Sequence, residues 1–156
     1  MNATSLLITF ELDGQRYALH LPVVERVIRA VEITKLPKAP GIVLGVINVQ
    51  GRIIPVVDVR KRFGLPLREM TVDDHIIVAR TSTRSVAMVV DAVSGVAEYS
   101  ETELVPKEKI LPGIEHIRGV VKLGDGLVLI HDLEQFLSIE EQRSLDKSLA
   151  KAREDF

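Results

Sequence analysis

The residues able to do chemistry are few, and their spacing serves chemistry poorly. The histidines are His20, His75, His116 and His131. None stands at a metal-ligand spacing from another, and no HExxH run occurs. There is no cysteine to hold a metal or form a disulfide. The one arrangement with enzymatic logic is His131 beside Asp132, an imidazole oriented by a carboxylate, with Ser94 or Ser138 as nucleophile. That would make a small hydrolase. A simpler role competes: Asp132 precedes LEQFL as Asp58 precedes RKRF, so both carboxylates suit helix N-caps. Only one of the two has a histidine beside it, which favours the cap. Asp58 and Arg60 are near enough in sequence for a charged pair, functional or merely local. Gly124-Asp125-Gly126 reads as a hairpin turn, and no P-loop, GxGxxG or GxSxG motif is present. A chain with no catalytic residues, no cofactor and no metal is expected.

Composition narrows the class further. The 156 residues are 46% apolar and 27% charged, ordinary for a folded domain and against disorder. Net charge is −2 with Lys and Arg scattered, so no basic stripe invites nucleic acid. No run approaches the roughly 20 apolar residues of a membrane helix, so direct membrane insertion is not expected. The opening MNATSLLITFELDG lacks the basic and apolar regions of a signal peptide. With no cysteine, a cytoplasmic location is expected. Tryptophan is absent and aromatics are 4%, so Val, Ile and Leu must build the core.

The elements that would position any site come from a chain written twice. Leu6–Ile28, shifted by 69 residues, falls on His75–Ala97, and Gly45–Val59, shifted by 74, falls on Gly119–Leu133. Ala18 then meets Ala87, Gly45 meets Gly119, and Asp58 meets Asp132. Each copy reads as β-branched strands joined by tight turns: Leu6–Leu12 and Arg16–Leu21 around Asp13-Gly14, then Val46–Val49 and Arg52–Val57 around Gln50-Gly51. Turns at Thr81–Arg84 and Gly124–Gly126 repeat the pattern. Pro22 suits the first turn of a short helix over VVERVIRA. Ser138 and Glu141 make a capping box for a helix whose face carries Leu145, Leu149, Ala152 and Phe156. That face would pack on its own lobe or recruit a partner helix. An all-β fold of two small barrel-like lobes follows, roughly residues 6–63 and 75–137, with a linker at 64–74 and a C-terminal helix or tail at 138–156. Such lobes leave a groove and two outer faces for docking.

The segment GVINVQGRIIPVVDVRKRFGL (Gly45 to Leu65) resembles the hallmark stretch of CheW, the chemotaxis coupling protein family. FELDGQRYAL, PVVERVIRAVEITKLPKAP, SVAMVVDAVSGV and GVVKLGDGLVLIHDLEQFL extend the resemblance from about Ser5 to Ser138. The resemblance implies one CheW-like domain over residues 5–142, built of two five-stranded SH3-like barrels related by the repeat. It implies a non-catalytic adaptor joining the cytoplasmic tips of chemoreceptors to the regulatory domain of the histidine kinase CheA. It would be cytoplasmic, held at membrane arrays only through its partners. An adaptor of the same family serving pilus or biofilm control is the alternative. In that family the receptor docks in the groove between lobes, and the kinase docks on a barrel face. Matching positions put Val24, Val27, Gly45, Asn48, Gln50, Gly51 and Ile53 on the receptor side. Gly45 is expected to let a partner approach closely, or else to serve barrel closure. Two positions depart from the family: Gln50 stands where arginine is usual, and Arg26 where glutamate is common.

Overall fold

The computed structural model describes residues 4–110, 116–124 and 126–155, with side chains as far as 151. The side chains of Ala152 and Phe156, expected on the helix face, and Asp125 of the expected turn lie outside the described residues.

Among the described residues eleven strands are distributed over two sheets: β1 (Thr4–Leu12), β2 (Gln15–His20), β3 (Val24–Arg29), β4 (Val43–Val49), β5 (Arg52–Val57), β6 (His75–Arg80), β7 (Ser85–Val90), β8 (Ala92–Ser100), β9 (Val105–Pro106), β10 (Ile117–Leu123) and β11 (Gly126–His131). The first sheet runs β8-β1-β2-β11-β10-β9 and the second β3-β6-β7-β5-β4. The expected lobes at 6–63 and 75–137 therefore need correction. The opening hairpin of each copy is exchanged: β1–β2 joins the later strands, and β6–β7 joins β3, β4 and β5.

The two sheets correspond strand for strand once the exchange is allowed. Parallel pairing of β2 with β11 puts Ala18 opposite Ile130, and that of β7 with β5 puts Ala87 opposite Val56. The short β9 has its counterpart in the isolated bridge between Thr34 and Val46. Alternation along β2 explains how one strand serves two cores. Ala18 joins Leu7, Val121, Val128 and Ile130 inside its own sheet, while Tyr17 and Leu19 join a larger cluster shared with Ile77, Met88 and Val90 of the other.

The helices are short but for the last. Asp58 caps α1 (Val59–Phe63) by accepting from the Lys61 N–H at 3.1 Å, and α1 ends at Gly64. Asp132 accepts from the Glu134 N–H at 3.2 Å at the equivalent place. Next comes a single helical turn, α2 (Lys107–Ile110). The long C-terminal helix α3 (Ile139–Asp155) begins with reciprocal bonds, Glu141 N–H to Ser138 Oγ and Ser138 N–H to Glu141 Oε1. It packs on its own chain: Leu145 and Leu149 enter the shared core, and Ser148 donates to the Lys38 carbonyl at 2.9 Å.

The expected helix over VVERVIRA is a strand instead. Pro22 sits in a single 3₁₀ turn, Leu21–Val23, and β3 then lies antiparallel along β6. The β-branched Val24, Val27 and Ile28 suit the pleated edge, and β6 needs a partner for its outer backbone groups.

Gly45 is buried and serves closure. A Cβ there would lie 2.2 Å from the Thr34 carbonyl oxygen, and its φ is +155°. Gly119 is approached in the same way by the Val105 carbonyl, at 2.7 Å from an added Cβ. The close approach is made by the protein's own backbone. Gly45→Ala is therefore expected to lower stability by several kcal/mol, of order 2–4, whereas Gly51→Ala, which meets open space, costs about 1. Equilibrium urea unfolding of both variants measures the difference. Equal losses would contradict this assignment.

Candidate docking surface

One end of the second sheet gathers most of the expected docking residues. The β4–β5 turn is a two-residue hairpin with positive φ at Gln50 (51°) and Gly51 (86°), the pattern of a type I′ turn. Asn48 braces it, its Oδ1 accepting from the Gly51 N–H at 2.8 Å. Gln50 and Gly51 are exposed at the tip. Ile53 and Val24 are half-buried against the shared core, and Val27 is exposed on the β3 edge. Gly45 lies apart, paired with Val56 where Asn48 pairs with Ile53, about 10 Å down the strand. It does not belong to this surface.

Three polar residues outside the expected docking set, Glu25, Arg52 and Ser85, hold the surface together. The register of β3 on β6 shifts between Val24 and Arg26, leaving Glu25 as the extra residue of a bulge. Its carboxylate accepts from Arg52 Nη1 at 3.0 Å and Ser85 Oγ at 2.5 Å, while Arg52 Nη2 donates to Ser85 Oγ at 2.7 Å. This triangle ties β3, the β4–β5 turn and the start of β7 together. The Ser85 hydrogen bond, with the Arg52 cation, holds Glu25 below the usual carboxylate range against the opposing effect of burial. The signal in the sequence was the repeat: the bulge recurs at Ser94, where the register of β8 on β1 shifts.

The two departures from the family pattern touch each other. Arg26 Nη2 donates to Gln50 Oε1 at 3.2 Å. Here a cation on β3 faces a neutral amide in the turn, so the two positions form one contact.

The hydrolase arrangement does not form. His131 is 2% exposed, neither ring nitrogen has a hydrogen-bond partner, and the ring lies edge-on to Phe63 and Phe136 at 5.1 and 5.2 Å. Asp132 caps the turn after it, Ser94 sits in the β8 bulge, and Ser138 caps α3. Asp58 and Arg60 do not pair either. Arg60 Nη2 bonds to Asp91, and its Nη1 donates to the Pro66 carbonyl at 3.0 Å. Among the described residues no cluster of His, Asp and Glu could hold a metal ion.

The fold and this surface together define a two-lobed β module for binding other proteins. A CheW-like domain model matches residues 6–141. The chain is 32% identical over 140 residues to the chemotaxis protein CheW of Rhizobium meliloti, covering 88% of this chain and 90% of that protein. It is 35% identical over 131 residues to CheW of Thermotoga maritima, covering 84% and 86%. The crystal structure of the scaffolding protein TtCheW from Thermoanaerobacter tengcongensis superposes with a TM-score of 0.81 at 30% identity, covering 90% of this chain and 96% of that one. The chain belongs to the CheW-like family. It is a coupling adaptor of chemotaxis-type signalling, a scaffold and not an enzyme.

Two predictions come from these contacts. Burial pushes the His131 pKa down to about 3, with His116 adding to the effect. The unfolded chain then binds a proton the folded chain refuses between about pH 6.5 and 3. This contribution to stability is complete above about pH 6.5 and is lost as pH falls. His20, lowered by burial and by Arg118, acts with the same sign. Asp74, lowered by its Arg68 hydrogen bond, adds a further loss only below about pH 4. Melting temperature should fall from pH 7 to 4.5, and His131→Leu should flatten that slope. An unchanged slope in the variant would contradict the account. Second, Gln50→Arg sets a guanidinium against Arg26 and should destabilise by a few tenths of a kcal/mol, while adding Arg26→Glu reverses the sign. A double-mutant cycle by urea unfolding reads the coupling.

Proposed function

We propose that this chain couples the cytoplasmic tips of chemoreceptors to the histidine kinase CheA, working in the cytoplasm and reaching membrane arrays through these partners. Among the described residues no helix is long and apolar enough to cross a membrane. The observation that carries the reading is the braced end of the second sheet. There Val24, Val27 and Ile53 offer apolar contact inside a polar rim of Asn48, Gln50 and Gly51, the arrangement of a protein docking patch. The receptor tip docks at this end.

The kinase's CheW-like domain needs a different face. A cleft of about 740 Å³ under the 64–74 linker carries exposed Leu44 and Leu67 with Ile33 and Met70. It lies at the Leu44 end of β4, away from the β4–β5 turn, and suits a second, mainly apolar contact. Signalling contacts of this kind are about micromolar, near −8 kcal/mol, so losing one good anchor at about 2 kcal/mol weakens binding roughly thirtyfold.

The test uses purified full chain, a receptor cytoplasmic fragment and the kinase regulatory domain from the same cell. Leu67→Glu should weaken kinase binding about thirtyfold and leave receptor binding within twofold, and Val27→Glu should do the reverse. Titration calorimetry measures both, with melting temperature as the folding control. If each substitution harms both partners equally in a folded protein, the two-surface reading is wrong.

A further inference from the structure

A second cleft, about 540 Å³, lies beside the docking end, between the β4–β5 and β6–β7 turns with α3 as its far wall. Its charged lining residues are Arg52, Arg80 and Arg84, with no carboxylate among them. Arg52 is engaged from outside the cleft by Glu25, and Arg84 is paired with Asp146 of α3. Arg80 is exposed at the end of β6 and makes no ion pair among the described residues. Glu134 is held at the β6–β7 turn by the Ser82 N–H and hydroxyl and does not line the cleft. The chain as a whole carries −2, so this concentration of positive charge is local. Ile53 and Leu149 also line the cleft, and Ile53 belongs to the docking end.

We infer that this cleft is a cationic subsite that takes a carboxylate side chain from the docked receptor tip, with Arg80 as its principal donor. The inference rests on the receptor reading above. The shape favours a protein side chain over a free anion. The apolar wall of Ile53 and Leu149 matches a partner segment on which an acidic residue neighbours an apolar one, as on one face of a helix. Arg80 offers a planar, permanently charged fork that makes no ion pair, and Glu25, the carboxylate near enough to feel its charge, is already engaged by Arg52 and Ser85. Arg52 and Arg84, each already anchored, fix the field around it. The cleft is open, so its charges are screened by salt and act on encounter rate as well as on affinity.

The experiment titrates full-length protein with the receptor cytoplasmic fragment at 50 and 300 mM NaCl. Wild type should bind more weakly at the higher salt. Arg80→Gln should lose several-fold in affinity at low salt, and Arg80→Glu about tenfold or more. Both variants should show a shallower salt dependence. Arg80 is exposed and makes no ion pair, so Arg80→Gln should melt like wild type, while Arg80→Glu, nearer the Glu25 carboxylate, should melt only slightly lower and stay folded. A charge-reversed receptor fragment, with one tip glutamate changed to lysine, should recover affinity for Arg80→Glu. If wild type binds the fragment but both variants bind equally well at both salts, this subsite is wrong and the coupling reading stands. If wild type does not bind the fragment at either salt, both fall. Displacement of the fragment by millimolar inorganic phosphate at fixed ionic strength would overturn the side-chain assignment in favour of a free anion.

Discussion

The parallel pairing of β2 with β11, and of β7 with β5, is the constraint on which the rest of the molecule depends. Each sheet is completed by a hairpin that the other copy of the repeat supplies. Ala18 and Ala87, both fully buried, stand at equivalent points of the two seams. Neither half of the chain can bury its own apolar strand faces alone, because the partner of β11 lies more than a hundred residues upstream. Such pairings carry a high loop-closure cost and must form late or cooperatively. The two lobes therefore fold as one unit.

Asp91 secures the crossing between the lobes. Its carboxylate accepts from the Asp13 N–H at 2.8 Å, from Arg60 and from Arg68, while its own N–H donates to the Glu11 carbonyl at 2.9 Å. One side chain thus binds the β1–β2 turn, α1 and the 64–74 linker. Burial works to raise its pKa, but these hydrogen bonds outweigh it and keep the carboxylate charged. Arg68 also grips Asp74 through both guanidinium nitrogens, at 2.7 and 2.9 Å, so a segment without regular structure is held in place. Leu67, on that segment, is consequently presented by a fixed frame.

Much of this was legible in the sequence, and the reasons for the rest are physical. The repeat, the paired hairpins, the Asp58 and Asp132 caps and the C-terminal helix are local, so residue type and spacing suffice to read them. The hairpin exchange is not local. Contiguous and exchanged lobes bury the same alternating residues, since equivalent positions carry equivalent side chains, so the hydrophobic pattern is identical for both. The strand β3 was misread because Pro22 suggested the first turn of a helix, while the demand of the β6 edge decided the outcome. The choice between partner approach and closure at Gly45 stayed open because its neighbour across space, Thr34, is eleven residues away and carries no turn signal. Arg60 chose Asp91 over its neighbour Asp58 for the same reason.

A scaffold transmits signal only as far as its docking surfaces keep their geometry, and the polar contacts of this chain are placed to that end. Glu25, Arg52 and Ser85 satisfy one another across three strands, so the bulged edge and the hairpin tip cannot drift independently. Energetically such a part-exposed triangle adds little to global stability, about 1 kcal/mol for an exposed ion pair. Its effect is felt in binding, where ordering flexible side chains costs about 0.5–1.5 kcal/mol each. Groups already held in place avoid that cost. The contact between positions 26 and 50 fits the same logic. Arg26 and Gln50 make a contact between β3 and the turn, so the charge presented at the tip is set by a pair of side chains that hold each other. Specificity in this adaptor can therefore vary on a surface whose shape is fixed from beneath.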